Sequence, residues 1–359
     1  MLRFTALLVL SVSLLTCVDE IDLEQADSLP EGIVVRGRLV LADQAIVEIN
    51  LEQLFQFASN LPDRIVTAEI ILENTEGQQM EIAYRDGAYR TTFDPNGSDF
   101  SVRAGLGYRV LVTTREGARY GSEFDYLPER VVPDTVTTYP TVVLQENVLG
   151  VEEEVPALGY ALTSPVTYPD GEPAYLRNTY VRDYALTQAD DAFPLNPDRT
   201  KVCYLSESIG NNRVDIVSGR DLADDRVTDL PLFLDPINFK YAQGHLVTIN
   251  QEAISQGAYQ YFDQISRIGE RSESIFANPP GPIVGNVTDL DGETINVFGY
   301  FYAANRAVTR VATTPAEVDN PRTFCPPPPN NGPGNPPILC VDCLNGPNAQ
   351  LQAPEYWPF

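Results

Sequence analysis

The amino-acid sequence predicts a mainly β protein, an N-terminal Ig-like or transthyretin-like β-sandwich followed by a second β-rich domain that carries one packed helix. Three observations predict it. Short runs rich in Val, Ile, Thr and Tyr alternate with Gly-bearing turns between residues 33 and 126, the punctuation of a β-sandwich. Runs of the same kind return beyond a stretch broken by Leu127-Pro128, Val131-Val132-Pro133 and Tyr139-Pro140. Among these runs sits one stretch, Ser255 to Ile268, that keeps a helical period. At 359 residues the chain is long enough for two cores.

Residues 1–16 read as a signal peptide. Met1-Leu2-Arg3 supplies one positive charge, and the apolar run Phe4–Leu15 is far shorter than the roughly 18–20 residues a membrane span needs. The run ends at Leu14-Leu15-Thr16-Cys17, which resembles the bacterial lipoprotein box. That resemblance makes Cys17 the acylated first residue of the mature chain, and a diacylglycerol plus an amide-linked acyl chain supplies the more than one anchor that stable attachment takes. Residues 17–31 carry many acids and no apolar period, so they form an acidic tether that holds a domain up to about 45 Å from its anchor. Asp19, Glu20 and Asp22 behind the cysteine resemble the export signal that sends Bacteroidota lipoproteins to the outer face of the outer membrane.

Residues 32–130 form the expected sandwich. Asp86-Gly87 supplies the positive φ angles of a two-residue hairpin turn, which sets Tyr84 opposite Tyr89, Ile82 opposite Thr91 and Met80 opposite Phe93. A second turn at Glu76-Gly77 sets Ile71 opposite Ile82. Ile33–Leu41, Ile46–Leu51, Tyr108–Thr114 and Arg119–Phe124 supply further strands, and Gln53–Asn60 reads equally as a helical turn or a loop.

Residues 131–313 form the second unit. Its strand-like runs are Thr141–Leu144, Leu158–Thr163, Ala174–Leu186, Lys201–Ser206, Arg213–Ser218, Leu246–Asn250 and Thr294–Ala303. The helix, near 255–268, starts from Ser255 as N-cap, spaces Ala258, Tyr261, Ile265 and Ile268 along one face, and meets Gly269 as its stop. A rigid turn follows at Asn278–Pro282. Asp289, Asp291 and Glu293 alternate along a short loop with hard oxygens that suit calcium, although such a run more often makes a polar hairpin turn. Residues 314–359 are a Pro-rich, Cys-containing tail in which 326–337 carries no regular pattern. Its end at Phe359 lacks the alternation of an outer-membrane barrel strand.

Composition prunes the functions. A net charge of −26 and a pI near 4.2 argue against nucleic acid, which needs clustered Lys and Arg, and against adhesion to anionic lipid head groups. One histidine, His245, excludes histidine-rich zinc sites and leaves a Ser-His-Asp triad no other base. It opens a buried-strand pattern, so a structural role is expected. Cys203, Cys325, Cys340 and Cys343 form an even set in an oxidising compartment and predict disulfides with three possible pairings. Cys340 and Cys343 also have redox or zinc spacing, but their flanks are Pro- and Asn-rich coil.

Cys17-Val18-Asp19-Glu20, the Ala68–Leu72 strand with Gly77, Asp86-Gly87-Ala88-Tyr89, Gly107–Val110, Cys203-Tyr204, Tyr259–Phe262, Gly299-Tyr300-Phe301, Cys340–Cys343 and Pro354–Trp357 stand in order along the chain. With them the chain resembles the Bacteroidota outer-membrane surface lipoproteins gathered under domain of unknown function 4249. That resemblance implies a SusC-type TonB-dependent transporter as partner, with this chain standing where other systems use a SusD-type lid. It carries no catalytic residue across. The expected function is therefore a non-catalytic, lipid-anchored subunit on the extracellular face that helps capture substrate, without cofactor beyond the lipid on Cys17. The alternative is an independent glycan- or peptide-binding module built on the 18 tyrosines. A hydrolase using paired carboxylates is the less favoured third.

Overall fold

The computed structural model describes residues 32–53, 63–97, 99–147, 149–188, 201–210, 214–271, 283–292, 296–325 and 337–359. The described part of 32–126 forms β1 (Gly32–Leu41), β2 (Ala45–Gln53), β3 (Glu69–Asn74), β4 (Gln79–Glu81), β5 (Tyr84–Arg85), β6 (Ala88–Phe93), β7 (Gly107–Thr113), β8 (Arg119–Ser122) and β9 (Asp125–Tyr126). Beyond it come β10 (Thr135–Glu146), β11 (Glu152–Pro165), β12 (Tyr175–Thr187), β13 (Val202–Ile209), β14 (Asp215–Ser218), β15 (Arg226–Pro236), β16 (His245–Ile254), β17 (Val287–Asp289) and β18 (Asn296–Thr313). Helix α1 (Gln256–Arg271) lies between β16 and β17. The expected elements at 54–60, 278–282 and 326–336 lie outside the described residues.

The mainly β expectation holds, and the sandwich is there. A nine-stranded sheet runs β13-β12-β16-β18-β1-β2-β6-β5 with β14 on β12, and a six-stranded sheet runs β17-β8-β7-β3-β4 with β9 on β7. Alternation builds the core between them: Val35, Leu39, Val47, Ile49 and Phe301 from the first sheet meet Ile70, Leu72, Val110, Val112 and Tyr120 from the second. The division expected near residue 130 is crossed by the larger sheet, since β1 pairs in parallel with β18 from Gly32↔Asn296 to Leu41↔Asn305. Val287, Phe301 and Ala303 accordingly belong to the N-terminal core.

The first hairpin turn forms as expected, with Asp86 at φ 50° and Gly87 at φ 89° and Tyr84 opposite Tyr89. The pairing then stops. Thr91 and Phe93 lie opposite Val47 and Ala45 instead of Ile82 and Met80, because the chain changes sheets at Ile82 to bury that side chain between them. The second turn is one residue longer than expected. Asn74 N–H donates to Gln78 O and the Asn74 Oδ1 accepts from Glu76 and Gln78 N–H, closing a three-residue loop with Gly77 at φ 81°. Register therefore shifts to Ile71↔Glu81. A slip of one residue exchanges the faces, and here it puts Ile70, Leu72 and Ile82 into the core together.

Strand β15 has no counterpart in the sequence reading. Pro231 and Pro236 disguise it, and it survives as the outer strand on β11 with register shifts beside Tyr160 and Leu162. Helix α1 starts where expected, Ser255 Oγ accepting from Ala258 N–H at 3.1 Å. Gly269 does not stop it, and the helix continues to Arg271.

The tail is stapled by Cys203–Cys343 and Cys325–Cys340. Cys340 and Cys343, on and beside the short helix α2 (Ile338–Val341), thus pair with other cysteines and not with each other. Tyr204 and Gln350 exchange backbone hydrogen bonds, and Trp357 packs edge-on against Tyr204 at 5.4 Å. His245 opens β16 fully buried, stacked on Tyr241 at 3.8 Å with Nε2 3.2 Å from Asp235. Burial pushes its pKa down against the pull of Asp235, consistent with the structural role expected of it.

Candidate functional site

The face of the nine-stranded sheet turned away from the sandwich core is polar and aromatic. On β1 the residues between the buried Val35, Gly37 and Leu39 are Arg36 and Arg38, which therefore point to the opposite side. Register lines them up with their neighbours: Asn50, Arg36 and Tyr300 form one row, and Glu48, Arg38 and Tyr302 the next. A third row crosses β12, β16 and β18 as Arg177, Glu252 and Arg306. Helix α1 lies over this face, burying Ala258 and packing Tyr259 and Phe262 against Val40, Tyr175 and Tyr302. Tyr261 and Ile265, expected to share the packing stripe with Ala258, also line a cleft, Tyr261 packing on the sheet through Tyr300. The volume of the cleft is about 330 Å³, and Arg36, Arg38, Glu48, Asn50, Arg177, Tyr300 and Tyr302 form its floor.

Ion pairs organise the floor. Glu252 is fully buried, and Arg177 Nη1 donates to its Oε2 at 3.0 Å while Arg306 Nη2 donates to its Oε1 at 2.6 Å. Burial works to raise the Glu252 pKa, but Arg306 and Arg177 overcome it and hold the carboxyl below the usual range. Glu48 is held down in the same way, burial being outweighed by Arg38 at 2.9 Å. Arg36 pairs with Glu52 at 2.5 Å. Carboxylates pinned as anions by guanidinium are poor proton donors. Ring faces complete the lining: Tyr261 stacks on Tyr300 at 4.7 Å, and Arg177 lies over Phe262 at 4.5 Å. Donors and flat apolar walls in a concave setting are the equipment of a small-molecule binding site.

Beside the cleft, Asp125 ties the helix start to the sheet. It accepts from Ser255 Oγ at 2.5 Å and from Ala303 N–H at 2.8 Å. Burial pushes its pKa up to about 6 against the pull of those two donors. A folded-state pKa above the unfolded value of 3.8 means that ionisation weakens folding. The penalty is absent well below pH 3.8, grows as pH rises to about 6 and is constant above. Asp125→Asn should therefore gain on the wild type by about 2–3 kcal/mol between pH 3.5 and 6.5. Urea unfolding of both proteins across that range checks it; parallel pH profiles sink the idea.

Of the sequence-predicted site residues, those that are described fall elsewhere. Cys17, Asp19, Glu20 and Asp22 lie within residues 1–31, outside the described residues. Asp289 Oδ1 accepts from Asp291 and Gly292 N–H, as in a polar turn, and Asp291 pairs with Arg119 at 2.6 Å; Glu293 lies outside the described residues. Sequence reasoning missed Arg36, Arg38, Arg177 and Tyr300. The signal was present in Val35-Arg36-Gly37-Arg38-Leu39, where charge alternates with apolar or small residues in a central strand.

The family model described as Domain of unknown function (DUF4249) matches residues 18–310. The match takes in both faces of the larger sheet, helix α1 and all of the cleft residues named above. No curated protein matches the chain.

Proposed function

The chain belongs to the DUF4249 family, and from that premise we propose that it is a lipid-anchored, non-catalytic protein of the extracellular face of a Bacteroidota outer membrane. There it serves a SusC-type TonB-dependent transporter as an accessory or lid subunit that helps capture substrate. The observation that carries this is the leader: an apolar run too short to span, ending at Cys17 and followed at once by Asp19, Glu20 and Asp22. No described helix is long and apolar enough to cross a membrane. The cleft under α1 supports the capture half of the reading and equally favours the second one, an independent glycan- or peptide-binding module.

One experiment separates them. Labelled palmitate should enter the wild-type chain and not Cys17→Ala, and a pull-down through the wild-type chain from mildly solubilised outer membranes should bring a barrel transporter with it. An unmodified Cys17 thiol removes the anchor. Recovery of the lipidated chain alone removes the transporter and leaves the independent binder.

A further inference from the structure

We infer that the cleft between α1 and the nine-stranded sheet takes a small carboxylate carried on a six-membered ring, the charge meeting Arg36 and Arg38 and the ring lying on Tyr261. The inference deepens the capture reading and rests on it for the use of the cleft in the cell.

The sign of the charge is the first argument. A chain with 50 acidic and 24 basic residues gathers Arg36, Arg38, Arg177 and Arg306 here and offsets them with Glu48, Glu52 and Glu252. Among the described residues these four arginines, with Arg90 opposite Glu48, outnumber the three glutamates, opposite to the balance of the whole chain. An excess of guanidinium over carboxylate suits an anionic ligand.

The position of that surplus is the second. Arg177 and Arg306 close on the fully buried Glu252 and are occupied by it. Arg36 stands at the mouth with 57% of its side chain exposed and meets Glu52 through Nη2. Arg38, 35% exposed, meets Glu48 through Nη2. A guanidinium carries five N–H donors in a planar fork matched to a carboxylate, so each has donors beyond the one its glutamate takes.

The wall is the third. Tyr261 is stacked on Tyr300, whose own position in register is opposite Arg36. A flat face beside a guanidinium selects a ring that bears its charge at one end. A volume of about 330 Å³ holds such a molecule, free or as the end unit of a longer one. A sugar acid and an aromatic acid share this chemistry.

The test uses ligand-observed NMR on the purified full chain with glucuronate and phenylacetate, each beside its neutral counterpart, glucose and 2-phenylethanol. At least one acid should bind, with its neutral counterpart weaker by about tenfold or more. Binding of glucuronate alone assigns the saccharide source, and of phenylacetate alone the aromatic one. Asn50→Asp sets a carboxylate next to Arg36 without removing any arginine, so it should weaken the acid by about tenfold while the melting temperature holds. Arg36→Gln should do the same. Acids that bind no better than their neutral counterparts, or an affinity untouched by Asn50→Asp, overturn the inference. Co-purification with a transporter is measured separately, so either result can fail while the other stands.

Discussion

Cys203→Ser is expected to lower the unfolding free energy by roughly 5 kcal/mol, while Cys325→Ser lowers it by roughly 3 kcal/mol. The difference follows from what each bond closes. Cys203–Cys343 joins residues 140 apart and Cys325–Cys340 residues 15 apart, and the chain entropy removed from the unfolded state grows with the logarithm of that loop. The first bond also holds the tail on β13, the edge strand of the large sheet. There Cys203, Cys343, Tyr184, Leu186 and Leu205 form a small buried cluster of their own, and the Tyr204–Gln350 bridge extends the edge by a residue. Denaturant unfolding under oxidising conditions measures both variants. The double variant Cys203→Ser/Cys343→Ser should cost no more than either single one, because the same bond is lost. A smaller shift for Cys203→Ser than for Cys325→Ser rules out the loop-length account.

What was legible in the sequence was local. The Asp86-Gly87 turn, the Ser255 cap and the strand-like runs around Leu158, Ala174 and Leu246 are each fixed by residues within a few positions of one another. The parallel pairing of β1 with β18 was not legible, since more than 250 residues separate Arg36 from Tyr300 and a hydrophobic period names a buried face without naming its partner. The cleft suffers from the same blindness. Arg36, Arg177, Glu252 and Tyr300 come from four strands and meet only through register, so each looks like an ordinary solvated charge or half-buried ring when read alone. The Ile71–Ile82 error is different in kind. Glu76-Gly77 does lie in a turn, but the Asn74 side chain accepts from Glu76 and Gln78 and enlarges it. An asparagine two places before Glu76, able to accept from the backbone of the turn, is the mark that points to the three-residue loop.

Glu252→Gln is expected to cost about 3–5 kcal/mol, the range for removing one member of a buried charge group. Arg177 and Arg306 keep only 20% and 16% of their side chains in solvent, so without the carboxylate two like charges face each other across a neutral amide in a place water scarcely reaches. Tyr302, which accepts from Arg177 Nη1 at 3.1 Å, cannot supply the missing charge while its hydroxyl is protonated, and burial first of all pushes its pKa up. The pH dependence has a definite sign. Glu252 is depressed in the folded chain from its ordinary 4.5, so its stabilisation is complete above that value and is lost as pH falls through the lower, folded one. The gap between wild type and Glu252→Gln should therefore be full at pH 7 and narrow as the solution is taken below pH 4.5. Urea unfolding of both at several pH values reads this directly. A variant within about 0.5 kcal/mol of the wild type at pH 7 would mean that the arginines find solvent without the glutamate, and the third row of the sheet would then be a surface feature and not the support on which the cleft stands.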